Sequence, residues 1–182
     1  VADGETGELW VSGPGILTGY YKKDEANRAS FSGEWFRTGD LFRRDEEGYF
    51  YMQGRIKDSI RRSGENISAL EVEAVAAGAP GVLEVAVVGV KDDFRGEEVK
   101  LCVVLQQGKT RSDVPPVAVL QHCEAKLAGF KVPRYVEYFD GFPHTSSLKI
   151  AKHMLKDGPS RVAGSATFDR VANAWLHEEA AA

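Results

Sequence analysis

"GRIKDSIRRSGENISALEVEAVAAGAPGVLEVAVVGV", residues 54–90, is where the pattern of the chain changes. "DSIRRSGENIS" reads as a strand and a tight turn. Directly after it, Ser68-Ala69-Leu70-Glu71 has the spacing of a capping box, with Ser68 capping a helix and Glu71 reaching back to its start. The helix runs through "LEVEAVAA" and stops at Gly78 and Pro80-Gly81. "VLEVAVVGV", 82–90, is a dense β-branched run and reads as a strong strand. Strand, helix and strand follow one another here too closely for an all-β or all-α domain.

Downstream the same grammar continues. "EEVKLCVVLQ" (97–106) is another strand, and Asp113-Val114-Pro115 opens a second helix. Its apolar positions Val119, Leu120, Cys123 and Leu127 keep helical spacing. "RYVEYFD" (134–140) is a further strand, and "GFPHTSSLKIAKHMLK" reads as a turn with an irregular end. The expected fold is α+β, a small sandwich with a three-stranded type of sheet and helices on one face. From Gly158 to Ala182 signals are sparse. "FDRVANAWLHEEAAA" reads either as a helix with Val171, Trp175 and Leu176 on one side or as a disordered end.

Upstream of Gly54 the chain looks all-β. "GELWVSG" (7–13) alternates and closes at Gly13-Pro14-Gly15. Asp24 is a candidate cap for a short helix. "WFRTGDLFRRDEEGYFYMQG" (35–54) is two strands around Asp45-Glu46-Glu47-Gly48, with Gly48 supplying a positive φ. Nothing in this third amounts to a complete core. The expected division is 1–54, 55–157 and a tail, 158–182. The opening "VADGETGELW", without an initiator Met and strand-like almost at once, suits a piece of something longer.

Composition sets the outer bounds. Of 182 residues, 43% are hydrophobic and 27% charged, which is globular and not disordered. The net charge of -4 and pI near 5.6 exclude a binder held to nucleic acid by phosphate contacts. No apolar run reaches the ~20 residues of a membrane span, and no charged-then-apolar leader opens the chain. Cys102 and Cys123 lack metal-ligand spacing and read as buried thiols in a reducing cytoplasm.

Certain residues could carry chemistry. Asp40, after Thr38-Gly39 at a strand edge, could accept two hydrogen bonds from a vicinal diol such as ribose, or could simply tighten a turn. Arg55 and Lys57 lie two apart, so on an extended segment they face one side and could meet an anion together. They could equally be solvated surface charge. Gly64 permits close approach of a narrow ligand to the backbone, or only makes the turn. Lys149, in a Pro- and Ser-rich loop, is a mobile point charge suited to a phosphate held briefly, although surface lysines are common. His122, His144, His153 and His177 are scattered without partners of ligand spacing, so no metal site is expected. Serine-nucleophile, paired-carboxylate and complete P-loop signatures are absent.

Taken together, "GELWVSGPGILTGYY", "GEWFRTGDL", "DEEGYFY", "GRIKDSIRRSGENISALEVE", "VAVVGVKDD", "FKVPRYVEYFD" and "PHTSSLKIAK" closely resemble, in this order, the C-terminal part of the AMP-forming acyl-CoA synthetases. These belong to the adenylate-forming superfamily with adenylation domains and beetle luciferases. The resemblance covers roughly residues 7 to 157. It implies that 1–54 end a large N-terminal domain in a β-barrel subdomain, and that a mobile C-terminal α+β domain follows. It implies two half-reactions: carboxylate and ATP give acyl-adenylate and pyrophosphate, then CoA gives the thioester and AMP. ATP or AMP, Mg2+ with the ATP, and CoA are the implied cofactors. The implied partners are the carboxylate and the N-terminal domain.

By the same resemblance Asp40 grips the ribose hydroxyls and Arg55 reaches the ribose or phosphate side of the nucleotide. Lys57 matches the hinge on which the domain turns. Gly64 matches the glycine that lets the pantetheine arm pass. Lys149 matches the lysine that bridges the α-phosphate and the attacking carboxylate. One departure stands out: Leu148 precedes Lys149, where the family usually has Gly. Two other readings remain open: an adenylation-domain tail that loads a carrier protein, and a free-standing binding module, which Leu148 favours. "FKVPRYVEYFD" looks a little like ligases for carnitine-type or fatty acids, as in fatty acid metabolism. The phosphate loop and acid pocket of the family lie upstream of the resemblance, so these residues alone are expected to form neither adenylate nor thioester.

Overall fold

In a computed structural model, residues 1–156 and 167–176 are described. They divide into two compact units, Val1–Lys57 and Asp58–Ala182. The division falls three residues later than the sequence suggested, inside a 3-10 turn (Ile56–Asp58) that follows a strand.

The first unit is an antiparallel sheet. β1 (Thr6–Val11) pairs with β3 (Trp35–Arg44), which also takes β2 (Phe31–Ser32) and β4 (Phe50–Arg55). A short helix, α1 (Asp24–Ser30), precedes β2. Asp24 is its first helical residue and not its cap: the capping position is Lys23, and no side chain caps the helix. Between β3 and β4 the Asp45 carboxylate accepts hydrogen bonds from the N–H groups of Glu47 and Tyr49, and Gly48 sits at φ +89° as the turn demands. Across residues 1–57 Gly54 alone is fully buried. A large apolar side chain stabilises a fold by about 1.5–3 kcal/mol when fully buried. None in this unit is, and Trp35, Tyr49, Phe50 and Met52 are exposed.

The second unit holds its own core. β5 (Ser59–Arg62) and β6 (Glu65–Ser68) form a hairpin, and α2 (Ala69–Ala76) follows. Next come the long hairpin β7 (Val82–Asp92) and β8 (Gly96–Leu105), then α3 (Pro116–Glu124) and β9 (Tyr135–Phe139). β10 (Thr167–Asp169) and β11 (Ala174–Leu176) complete the described elements. The sheet runs β11-β10-β9-β8-β5-β6, with β7 also on β8; β8 and β9 are parallel and the other pairs antiparallel. The α+β class stands, but the sheet is wider than three strands.

Alternation along β8 explains its two faces. Val99, Leu101 and Val103 meet Val72 and Ala76 of α2 and Val119, Leu120 and Cys123 of α3 in one cluster. Cys102 and Val104 point the other way, into a cluster with Ala86, Val88, Phe142 and Leu155. Both α-helices thus cover one face, as expected, and the irregular segment 142–155 covers the other. Cys102 and Cys123 are free buried thiols. Ser68 Oγ accepts from the Glu71 N–H at 3.2 Å as the capping box predicts, and the Glu71 carboxylate also takes Lys131 Nζ.

The helix expected as one reading of the tail does not form at 167–176. β10 adds to β9 and turns back into β11. Asp169 Oδ1 accepts from the Val171 N–H, and Asn173 takes φ +51°, so two turn residues interrupt the run. Trp175 then packs on Phe168 and Tyr138. The rest of the tail, His177 included, lies outside the described residues.

Candidate functional site

Asp40 stands on an irregularity that "RTGD" creates. In the β1–β3 ladder Glu8 faces Leu41 and Trp10 faces Arg37, so Thr38, Gly39 and Asp40 oppose Leu9 alone. This is an enlarged β-bulge. Gly39 takes φ +73° and its N–H donates to Glu8 Oε1, while Thr38 Oγ1 donates to the Leu9 carbonyl at 2.7 Å. The Asp40 N–H donates to Thr38 Oγ1, so the bulge is tied down on both sides.

A second irregularity faces the first. Asp40 is opposite Arg55 and Leu41 opposite Gly54, but Phe42 is opposite Met52, leaving Gln53 as the extra residue. Gly54, buried and at φ +128°, absorbs the distortion. The result is an ion pair, Arg55 Nε to Asp40 Oδ1 at 2.8 Å, with the Arg55 side chain 55% exposed. The guanidinium and the second carboxylate oxygen thus present a donor and an acceptor side by side at the end of β4. Lys57 follows, exposed, in the 3-10 turn at the boundary of the two units.

The remaining candidates lie in the second unit. Ser63 (φ +51°) and Gly64 (φ +89°) are the two-residue turn of the β5–β6 hairpin. A Cβ built on Gly64 meets nothing within 4 Å, so the turn is open space around a bare backbone. Lys149 is exposed on a closed loop. The Leu148 N–H donates to the Thr145 carbonyl, the Thr145 N–H to the Lys149 carbonyl, and the Lys149 N–H to Thr145 Oγ1. Leu148 is 84% exposed and holds φ +60°, the conformation a glycine would take without strain. The structure therefore joins Asp40 to Arg55 with Lys57 just after them in sequence, and places Gly64 and Lys149 on separate loops of the other unit.

Two ion networks escaped the reading of the sequence. Glu98, buried on β8, receives Arg62 Nε at 2.6 Å and Arg95 Nε at 3.1 Å. Lys100 and Glu137, side by side on β8 and β9, form a buried ion pair. Two charged residues, Glu98 and Lys100, two apart in a largely apolar strand are their one local signal. Among the described residues no group of three or more His, Cys, Asp or Glu could hold a metal ion, and no helix is long and apolar enough to cross a membrane.

Residues 71–149 match the family model of the AMP-binding enzyme C-terminal domain. Over these residues the chain is similar to the C-terminal domain of the AMP-binding enzymes. A probable CoA ligase of Humulus lupulus is 40% identical over 85% of this chain and 29% of its own length. A crotonobetaine/carnitine–CoA ligase of Salmonella arizonae is 40% identical over 84% of this chain and 30% of its own length. Among solved structures, o-succinylbenzoate CoA synthetase from Bacillus subtilis, in complex with its acyl-adenylate intermediate, superposes with a TM-score of 0.77. It is 34% identical, over 87% of this chain and 32% of that one. The chain thus spans about 30% of the length of the curated relatives it matches.

Proposed function

We propose that this chain works as the C-terminal part of an AMP-forming carboxylate–CoA ligase. The carboxylate attacks the α-phosphorus of ATP and pyrophosphate leaves; the CoA thiol then attacks the acyl carbon of the adenylate and AMP leaves. Asp40 binds the ribose diol through its second oxygen, and Arg55 binds the ribose or phosphate side. Lys57 is the hinge, and Gly64 admits the pantetheine arm. Lys149 stabilises the charge that gathers between carboxylate and α-phosphate in the first step. Mg2+ accompanies the phosphates of ATP and is not assigned to residues of this chain. The phosphate loop, the acid pocket and the rest of the N-terminal domain are partners outside the region of similarity. Free buried thiols fit a reducing cytoplasm.

The Asp40–Arg55 pair carries this reading. An exposed ion pair adds about 0–1 kcal/mol to stability. Two facing bulges and two glycines at positive φ are far more apparatus than so small a gain requires, whereas a ligand held by both charges accounts for them. The unburied sheet of residues 1–57 also fits a surface that other parts of a longer protein cover. The acid is a separate matter: relatives named for crotonobetaine or carnitine and for o-succinylbenzoate are both similar over this segment, so similarity here does not track the acid.

The test uses the native polypeptide that carries this segment. Asp40→Ala should raise KM for ATP tenfold or more. Lys149→Ala should lower carboxylate-dependent pyrophosphate exchange by about a hundredfold, on the scale of losing one electrostatic stabiliser, and spare conversion of supplied acyl-adenylate to acyl-CoA. The 182 residues alone should release no pyrophosphate. Unchanged exchange in both variants would overturn the roles given to Asp40 and Lys149, and a native polypeptide with no exchange at all would favour the second reading, a binding module without catalysis, for which Leu148 at φ +60° speaks.

A further inference from the structure

Glu98 is 1% exposed, yet three arginines from three parts of the second unit converge on it. Arg62, the last residue of β5 before the Ser63–Gly64 turn, gives Glu98 two hydrogen bonds, from Nε at 2.6 Å and Nη2 at 3.2 Å. Its Nη1 donates to the Phe130 carbonyl. Arg95, in the β7–β8 turn, reaches Glu98 Oε1, the oxygen that also takes Arg62 Nη2, at 3.1 Å, and the Ser63 N–H donates to the Arg95 carbonyl at 2.8 Å. Arg134 lies 3.9 Å from the same oxygen and is held further by Asp92 and by Asp169 of β10, each at 3.1 Å.

One carboxylate therefore fastens the entry to the Ser63–Gly64 turn twice: through Arg62 before it, and through Arg95, whose carbonyl holds the N–H of the turn's first residue. Both turn residues sit at positive φ and the space outside them is open, so the hairpin itself supplies little to keep its tip in one place. A desolvated carboxylate with several charge-assisted hydrogen bonds is rigid, because any displacement leaves a buried charge underpaired.

We propose that Glu98 is a positioning residue for the thiol-acceptor step. It fixes the Ser63–Gly64 turn through Arg62 and Arg95, and Asp169 of the C-terminal hairpin braces the same cluster through Arg134. This rests on the reading of Gly64 as the passage for the pantetheine arm. Among the described residues no hydrogen bond or ion pair joins the cluster to the Lys149 loop, so the first half-reaction is not under its control.

The experiment measures both half-reactions in the native polypeptide: carboxylate-dependent pyrophosphate exchange, and thioester formation from supplied acyl-adenylate as CoA is varied. Glu98→Gln keeps the shape and loses the charge; it should raise KM for CoA about tenfold with pyrophosphate exchange unchanged within twofold. Asp169→Asn, one arginine further out, should raise it about threefold, and this second variant decides the matter if Glu98→Gln does not fold. Parallel losses in both half-reactions, or an unchanged KM for CoA, would overturn the proposal. Gly64→Leu separates the two levels. Loss of the CoA step there, with an unchanged KM for CoA in the Glu98 and Asp169 variants, sinks the positioning role alone. A Gly64→Leu enzyme with a normal KM for CoA sinks the assignment of the turn and the proposal with it.

Discussion

Leu148 shows how one side chain can be out of step with its backbone. A non-glycine residue in the left-handed region costs about 1–2 kcal/mol, and the three hydrogen bonds among Thr145, Leu148 and Lys149 hold it there. Glycine would remove that strain but gain about 0.4–1 kcal/mol of unfolded-state entropy cost. Leu148→Gly should therefore stabilise the chain by a net of about 0.5–1 kcal/mol, read as a higher midpoint in urea; a lower midpoint would mean that the loop is not strained. The thiols give a second expectation at this scale. Burial pushes Cys102 up to about 12 and Cys123 up to about 11. A colorimetric disulfide reagent at pH 8 should find neither thiol in the folded chain and both after denaturation.

At the scale of elements, the C-terminal hairpin hangs on Asp169. Burial alone would raise its pKa, but the Arg134 hydrogen bonds and the N–H groups of Val171 and Ala172 outweigh burial and hold it below the ordinary carboxylate value. A carboxylate depressed in the folded state contributes stability that is present above its unfolded pKa, near 3.8, and is lost as pH falls through the lower folded value. The melting temperature should therefore drop as the pH falls below the ordinary carboxylate value, with the drop smaller in Asp169→Asn, which melts lower than wild type at pH 7. Leaving the Arg134 guanidinium without that partner should cost about 1–3 kcal/mol. The hairpin was hard to read because Val171, Trp175 and Leu176 suit one side of a helix as well as a short strand pair. Asp169 and Asn173, both turn formers, were the better guide. The capping box shows the opposite case: its spacing was real and Ser68 caps the helix, while the lysine sixty positions away that holds Glu71 left no trace in the local sequence.

The molecule as a whole was legible where local pattern suffices. β7 and β8 are so densely apolar, and α2 and α3 so regularly spaced, that the α+β unit could be drawn from them before any coordinates. The bulges around Asp40 and Gly54 were not legible, since a bulge is a mismatch between two strands and neither strand records it alone. The Glu98 and Lys100 ion pairs were missed for the same reason, because their partners come from other strands. The two units also differ in self-sufficiency. Residues 58–182 should unfold as one cooperative transition when expressed alone, whereas residues 1–57, with Gly54 alone fully buried, should show no sharp melt in calorimetry.

The parallel pairing of β8 with β9 has a consequence in time. β7 and β8 meet across a tight turn, and such hairpins close within about 1–10 μs. β9 reaches β8 only after the chain from Gln106 to Arg134 has crossed over by way of α3, and distant pairings of this kind form late and slowly. Until β9 docks, Lys100 waits on an open strand edge with its ammonium in water; the arrival of Glu137 is what lets it go dry. Burial of that charge therefore marks a late stage of assembly, and it precedes the docking of β10 and β11, which have no place in the sheet until β9 is there.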